Sequence, residues 1–398
     1  MYRVRRARVL ACSCVISALC LIFLGSLNMG NVAAAASAPV FTKHTVATSG
    51  SGLYGLVVGS DDNIWYTIPQ ANVIGKFIVA DSSTVEYSAG NPQSVTLGPD
   101  GNVWFTAGQP SGDKVGKITP SGVITEYDLG TQNSVLGGIA VGSDGNLWFT
   151  DSTSDKIKKI TTNGLIVEYN VPTPGGHPGG ITLGPDGNMW FAETDGNKVG
   201  KITPSGVITE YGVPTSGSKP TLIITGPDGN LWFTQQFAGK IGKITPSGVV
   251  TEYAVVAPSE LITGITLGPD GNLWFGELFG DKIGKITTEG VVTEYGVPNP
   301  PASPVDIITG PDGNLWFTGY ATNEMVRITN FMDAPIVTPT NPNTGPISPP
   351  VSTAELLAPN TGVGGAPSIG GLAGILLFAL AIVTTVYVCY RRLIKHSE

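Results

Sequence analysis

Three carboxylates and one amide recur at a single place in this sequence, two residues past a Trp-Phe pair: Asp151, Glu193, Gln235 and Glu277. In three further copies of the pair that place holds Ile68, Ala107 and Gly319. Carboxylates are hard oxygen donors, and several facing one opening could hold a divalent cation or a basic ligand. Spread round a hydrated rim they would do neither. Residue types leave both readings open. Asp151, Glu193 and Glu277 are the candidate metal ligands, and Asp151 and Gln235 are candidate ligand contacts.

What positions these residues is a repeat. Gly-Pro-Asp-Gly-Asn-Leu-Trp-Phe occurs at 226–233, 268–275 and 310–317, with looser copies at 59–66, 98–105, 142–149 and 184–191. The seven tryptophans of the chain, Trp65, Trp104, Trp148, Trp190, Trp232, Trp274 and Trp316, fall one to a copy, at spacings of 39, 44, 42, 42, 42 and 42 residues. Each period reads as four short strands. In the fifth copy these are 221–226, 230–235, 240–245 and 249–253, with Asp228-Gly229 and Pro246-Ser247-Gly248 as turns. Asp-Gly between apolar runs is a strong hairpin signal. A four-stranded antiparallel sheet repeated at this period is a propeller blade. The expected fold is all-β, a seven-bladed β-propeller over residues 37–330.

The seventh copy stops after a third strand, near Thr329. Residues 41–51 align with 208–218. The N-terminal strand is therefore expected to complete the last blade and close the ring, which leaves no half-blade with an open edge. The tryptophans suit inter-blade packing. Burying one removes about 150–250 Å² from water, about 4–6 kcal/mol as an upper value. The acidic turn residues read as hairpin chemistry and not as calcium loops. The lysines of Lys240-Ile241-Gly242-Lys243 and its counterparts read as solvated outer-strand positions.

Composition narrows the function class. The chain of 398 residues carries 22 basic and 30 acidic side chains. Seven of the basic and one of the acidic residues lie in the two ends, so the body is strongly acidic and a poor nucleic-acid binder. All four cysteines, Cys12, Cys14, Cys20 and Cys389, sit in the apolar ends. The body thus has neither a disulfide framework nor a thiolate metal site.

The ends give an address. Residues 1–36 have a basic start, an apolar run and four alanines, and read as a secretory signal peptide. Residues 331–357 are rich in Pro, Thr, Ser and Asn and read as an extended stalk. Residues 369–390 are apolar and long enough to cross a bilayer as a transmembrane helix, and the basic residues of 391–398 belong on the cytoplasmic side. Ala358, Pro359, Asn360, Thr361 and Gly362 precede that span. This order resembles a sortase-type cell-wall sorting signal, with Ala358 at the usual Leu position. The resemblance implies a sortase-like transpeptidase as partner and a body held at the extracellular face.

The repeat Gly-Ile-Thr-Leu-Gly-Pro-Asp-Gly-Asn-x-Trp-Phe-x-Glu, followed by Lys-Ile/Val-Gly-Lys-Ile-Thr-Pro-Ser-Gly-x-x-Thr-Glu-Tyr, resembles the streptogramin B (virginiamycin B) lyases over residues 41–329. That resemblance implies a seven-bladed propeller that opens a cyclic depsipeptide by elimination, with Mg2+, a His base and Glu residues. In the family a His opens an innermost strand fourteen residues before a matching Glu. Glu193 and Glu277 match the Glu. The position fourteen before holds Tyr54, Gln93, Gly137, Gly179, Thr221, Thr263 and Val305 across the blades, with no His. Tyr54, Gln93, Thr221 and Thr263 join the candidate ligand contacts. His177, two residues before Gly179, is the one histidine near that place, and the candidate catalytic set is His177, Glu193 and Glu277. His44 lies on the closing strand where the other blades have Tyr. The leading expectation is a secreted, surface-anchored, monomeric propeller that recognises an extracellular peptide, polymer or protein. The alternative is a Mg2+-assisted lyase, and a lactonase-type hydrolase comes third.

Overall fold

The computed structural model describes residues 38–48, 52–108, 113–257, 260–298 and 302–331. The leader, stalk, sorting motif and membrane span expected from the sequence lie outside the described residues. Twenty-eight strands form seven four-stranded antiparallel sheets, the blades of a propeller ring. Blade five comprises Pro220–Thr225, Leu231–Gln235, Lys240–Ile244 and Val250–Ala254, each within a residue of expectation. First strands of neighbouring blades touch and so lie innermost.

The chain closes as expected. Val40–Thr45 pairs antiparallel with Glu324–Thr329, and the seventh sheet runs from this N-terminal strand inward to Pro304–Thr309. His44 faces the Trp316 ring at 5.3 Å, where the other six tryptophans each stack on a fourth-strand Tyr at 5.6–5.9 Å.

The repeated octapeptide does two jobs. The Gly229 N–H bonds Gly226 O, and Gly229 alone of the central residues has positive φ, at 72°. The turn is thus a type I turn centred on Pro227 and Asp228 with Gly229 left-handed after it, not a two-residue turn with both residues at positive φ. Pro227 pre-sets the first central φ, which favours this longer form. Asp228 then accepts from the Trp232 indole N–H at 3.0 Å, and all seven blades repeat this bond at 2.9–3.1 Å. The glycine that opens each copy is required by this packing: a Cβ at Gly226 would lie 2.3 Å from the Trp232 ring.

Lys243, which ends the Lys240-Ile241-Gly242-Lys243 run, and its counterparts in the other blades are not solvated positions. Lys76, Lys117, Lys159, Lys201, Lys243 and Lys285 lie 4.8–5.4 Å from the Trp ring centroid of their own blade. Each also pairs with the turn Asp at 3.0–3.7 Å. Five donate onward to a backbone carbonyl of the next blade, as Lys243 does to Thr288 O at 3.2 Å. The apolar stem covers the indole while the ammonium spans two blades. Asp228 is pushed up by burial, but Trp232, Asn230 and Lys243 outweigh that and hold it below the usual carboxylate range.

Each tryptophan packs into the following blade. Trp232 joins Val255, Ile262, Leu273 and Phe275 in one cluster. The second strands are buried along their whole length, since both faces are covered.

Candidate functional site

Strand direction sorts the loops. Octapeptide turns and Thr-Pro-Ser-Gly turns lie at one mouth. The linkers between blades and the turns between second and third strands lie at the other. The residue two past Trp-Phe ends the second strand at this latter mouth. By strand alternation it shares the face of Phe233 or Phe275, which packs on the preceding blade.

Asp151, Glu193, Gln235 and Glu277 are all fully buried. They are neither a hydrated rim nor a common ring of ligands. Each sits in its own blade interface with its own neighbours, and among the described residues no ion could touch Asp151, Glu193 and Glu277 together.

Asp151 is an ion-pair partner. Lys158 Nζ lies 2.9 Å from Asp151 Oδ2 and 3.1 Å from Glu168 Oε1, and Ser134 Oγ donates to Asp151 at 3.2 Å. Five of the other blades have glycine where Lys158 stands. Burial lowers the Lys158 pKa, but Asp151 and Glu168 more than offset it, and the group is held charged.

Blade four holds the nearest thing to a catalytic pair. His177 Nδ1 lies 2.9 Å from Asp195 Oδ2, and Lys219 also pairs with Asp195. The backbone that carries the ring is pinned: His177 N–H donates to Asp155 Oδ1 at 2.9 Å, and Thr194 N–H to His177 O at 3.2 Å. Register places Glu193 opposite Pro178, the residue after His177. The Glu193 carboxylate presses so close to Gly176 and Gly196 that a Cβ on either would lie 2.7–2.8 Å from Oε2. Burial and then Glu210 push Glu193 up to about 7, against the pull of Lys198.

In blade six Glu277 has no hydrogen-bond partner on either oxygen. Burial, then the nearby Glu294, push it up to about 8. Its neighbours are Glu260, Glu294 and Lys282. In blade five both amide atoms of Gln235 are likewise without partners.

The remaining candidates open the innermost strands. Gln93, Thr221 and Thr263 fall within the bulge that breaks pairing between first and second strands. Gln93 Nε2 donates to Asn91 Oδ1 at 2.9 Å, and Thr221 Oγ1 to Lys219 O at 3.0 Å. Thr263 Oγ1 donates across to Pro304 O of blade seven at 2.8 Å. Tyr54 is pushed up by burial and then by Asp306 and Tyr320. These residues are spread round the ring and make no compact constellation.

The sequence reading missed Lys158, Asp195, Glu260 and Glu294. Lys158 had a signal, a lysine in a glycine column. Glu294 had none, because a Glu-Tyr pair recurs on the fourth strand of each of the first six blades. Two large apolar side chains at this mouth are also new: Phe237 and Phe279, in the second-to-third-strand turns of blades five and six, are each 47% exposed.

Residues 79–346 match the model of the virginiamycin B lyase family. Among solved structures, selenomethionine-substituted virginiamycin B lyase from Staphylococcus aureus is 34% identical, with a TM-score of 0.69 over 73% of this chain and 99% of that one. A catalytically inactive variant of the S. aureus enzyme, with one histidine replaced by alanine and solved with quinupristin, is 35% identical, again with a TM-score of 0.69 over 73% of this chain and 99% of that one. The extracellular domain of a one-component system from B. thetaiotaomicron shares the fold alone, at 15% identity and a TM-score of 0.58, over 73% of this chain and 41% of that one. No curated protein matches the chain. The chain belongs to the virginiamycin B lyase family.

Proposed function

We propose that the protein is an extracellular recognition module, a propeller of the lyase family that binds at the mouth of blades four to six and does not open depsipeptides. One observation carries this. The position where the family places its histidine holds Tyr54, Gln93, Gly137, Gly179, Thr221, Thr263 and Val305, and none of these can take a Cα proton at neutral pH. The S. aureus relative is inactive when a single histidine becomes alanine. Exposed Phe237 and Phe279 beside buried carboxylates suit a peptide with apolar and basic side chains. The leader, stalk and sorting-like motif of the sequence fit presentation outside the cell, held by a C-terminal membrane span or by transfer to the wall.

Magnesium, which the resemblance brings with it, does not fit the set Asp151, Glu193 and Glu277, because the three lie in separate interfaces. No chemical step is routed through it.

A second reading rests on the His177–Asp195 pair. A carboxylate on Nδ1 fixes the tautomer and leaves Nε2 as the atom to take a proton. Glu193 stands beside it. In that reading His177 would be the base of a lyase whose base has moved from the innermost strand to the linker.

The recognition reading is tested by titrating the full chain with basic, apolar extracellular peptides and comparing Phe237→Ser/Phe279→Ser. Loss of binding by about tenfold or more is expected. Peptide binding that ignores both phenylalanines would place the ligand elsewhere and overturn the assignment of the mouth.

A further inference from the structure

The linker from blade one into blade two is shorter than its counterparts. The chain advances five residues from Tyr87 to Pro92, but nine from Tyr169 to Pro178 and nine from Tyr211 to Pro220. Both ends of the short linker are anchored as they are in front of blade four. The Ala89 N–H donates to Asn72 O at 2.8 Å, and the Asn91 N–H to Asn72 Oδ1 at 2.9 Å. In front of blade four the Val171 N–H donates to Asp155 O at 2.9 Å, and the His177 N–H to Asp155 Oδ1 at 2.9 Å. Between those anchors blade four has Pro172-Thr173-Pro174-Gly175-Gly176, where the short linker has Gly90 alone.

The omitted stretch has partners in other blades. Glu210 accepts from the Thr173 N–H at 2.9 Å and from Thr173 Oγ1 at 2.7 Å, and the same hydroxyl oxygen accepts from Lys198 at 2.6 Å. Thr215 stands between Glu252 and Lys240 in the same way, at 3.1, 2.8 and 2.7 Å. In blade two Lys114 and Glu126 hold the strand positions of Lys198 and Glu210. They pair with each other at 2.6 Å, and among the described residues Lys114 is the one donor to Glu126. Where the threonine stretch is missing lies an open cleft of about 580 Å³, lined by Asn72, Ala89, Lys114, Ile124 and Glu126. The Glu126 side chain is 26% exposed, against 12% for Glu210 and 14% for Glu252, so the threonine is what covers the carboxylate in those blades.

We propose that this cleft between blades one and two binds an extended peptide that carries a threonine or serine, set against Glu126 and Lys114 as Thr173 is set against Glu210 and Lys198. The carboxylate takes the peptide N–H and the hydroxyl proton, and the ammonium donates to the hydroxyl oxygen. Hydrogen bonds to charged groups are the stronger kind. Alanine lacks the hydroxyl, an acidic side chain would face Glu126, and a basic one would face Lys114. Ala89 and Ile124 supply the apolar part of the lining. A proline before the hydroxyl residue, as at Pro172 and Pro214, fixes one backbone angle and lowers the cost of ordering the peptide. The cleft shares no residue with the mouth of blades four to six, so the inference stands whether that mouth recognises or catalyses.

The test is calorimetric titration of the full chain with acetyl-Pro-Thr-Pro-Gly-amide, which copies residues 172–175. One saturable site is expected. Acetyl-Pro-Ala-Pro-Gly-amide should bind about tenfold or more weakly, and Glu126→Ala should weaken the threonine peptide by a similar factor. Replacing Gly90 with the stretch 172–176 of blade four should fill the cleft, raise Tm and abolish binding. That variant keeps Glu126 and Lys114 and guards against a fold defect in Glu126→Ala. Absence of saturable binding to the unmodified chain would overturn the proposal, as would binding that survives the refilled linker or does not separate threonine from alanine. Chitotriose binding that the refilled linker abolishes, with no peptide bound, would overturn the peptide in favour of a sugar.

Discussion

The His44 imidazole lies 5.3 Å from the Trp316 ring, on the strand that closes the propeller. Burial, and then Arg327, hold its pKa below the ordinary value. The folded state therefore prefers the neutral ring, while the unfolded chain takes a proton near pH 6.5. His44 contributes stability that is present above about pH 6.5 and lost as pH falls below it. His44→Tyr, which copies the other six blades, should flatten the Tm-against-pH curve below that point and leave Tm at pH 8 little changed. Deleting residues 40–45 should lower Tm sharply at every pH, and an unchanged melt would refute closure by this strand.

Lys158 and Asp151 form a buried pair in an interface where blade two has Gly116 and Ala107. Lys158→Gly alone strands the Asp151 charge and should destabilise by about 3–5 kcal/mol. Lys158→Gly/Asp151→Ala rebuilds the blade-two arrangement and should recover most of that loss. Chemical denaturation of the three proteins checks the cycle.

Glu193 shifts stability with pH in the opposite sense to His44. Its folded pKa of about 7 lies above the ordinary carboxylate value. Its contribution is fully present below about pH 4.5 and is lost as pH rises through about 7. Glu193→Gln should gain stability relative to the unmodified chain between pH 5 and 8, measured as the difference in Tm. A constant difference across that range would show that Glu193 is ionised in the folded protein.

Asp228 tests the turn-to-indole bond. Asp228→Asn keeps an acceptor for Trp232 but gives up the charge facing Lys243. Asp228→Ala leaves a buried indole N–H unpaired, at about 1–3 kcal/mol. The alanine variant should be the less stable of the two by denaturant midpoint.

Much of this architecture was legible in the repeat. Seven copies of one octapeptide fix the blade count, and the missing fourth strand after Thr329 locates the closure at Val40–Thr45. The turn type was not legible, because Asp-Gly serves both a two-residue turn and the longer one that Pro227 favours. Nor was the role of Lys243: a lysine next to glycine looks solvated until the indole of Trp232 is folded beneath it. At the mouth, the sequence singled out Glu193 and Glu277 by their departure from Ala107 and Gly319. It could not show that they are buried in separate interfaces, since strand alternation sets the face but not the neighbour across it. Glu260 escaped because the linker into blade six departs from the period.

The central claim is recognition without depsipeptide opening. Its most direct test is to incubate the full chain with quinupristin and Mg2+, beside the S. aureus lyase, and to follow ring opening by mass spectrometry. The depsipeptide is expected to stay intact with this protein while the lyase opens it. Ring opening that is abolished by His177→Ala would contradict the claim and make the His177–Asp195 pair the base of a lyase.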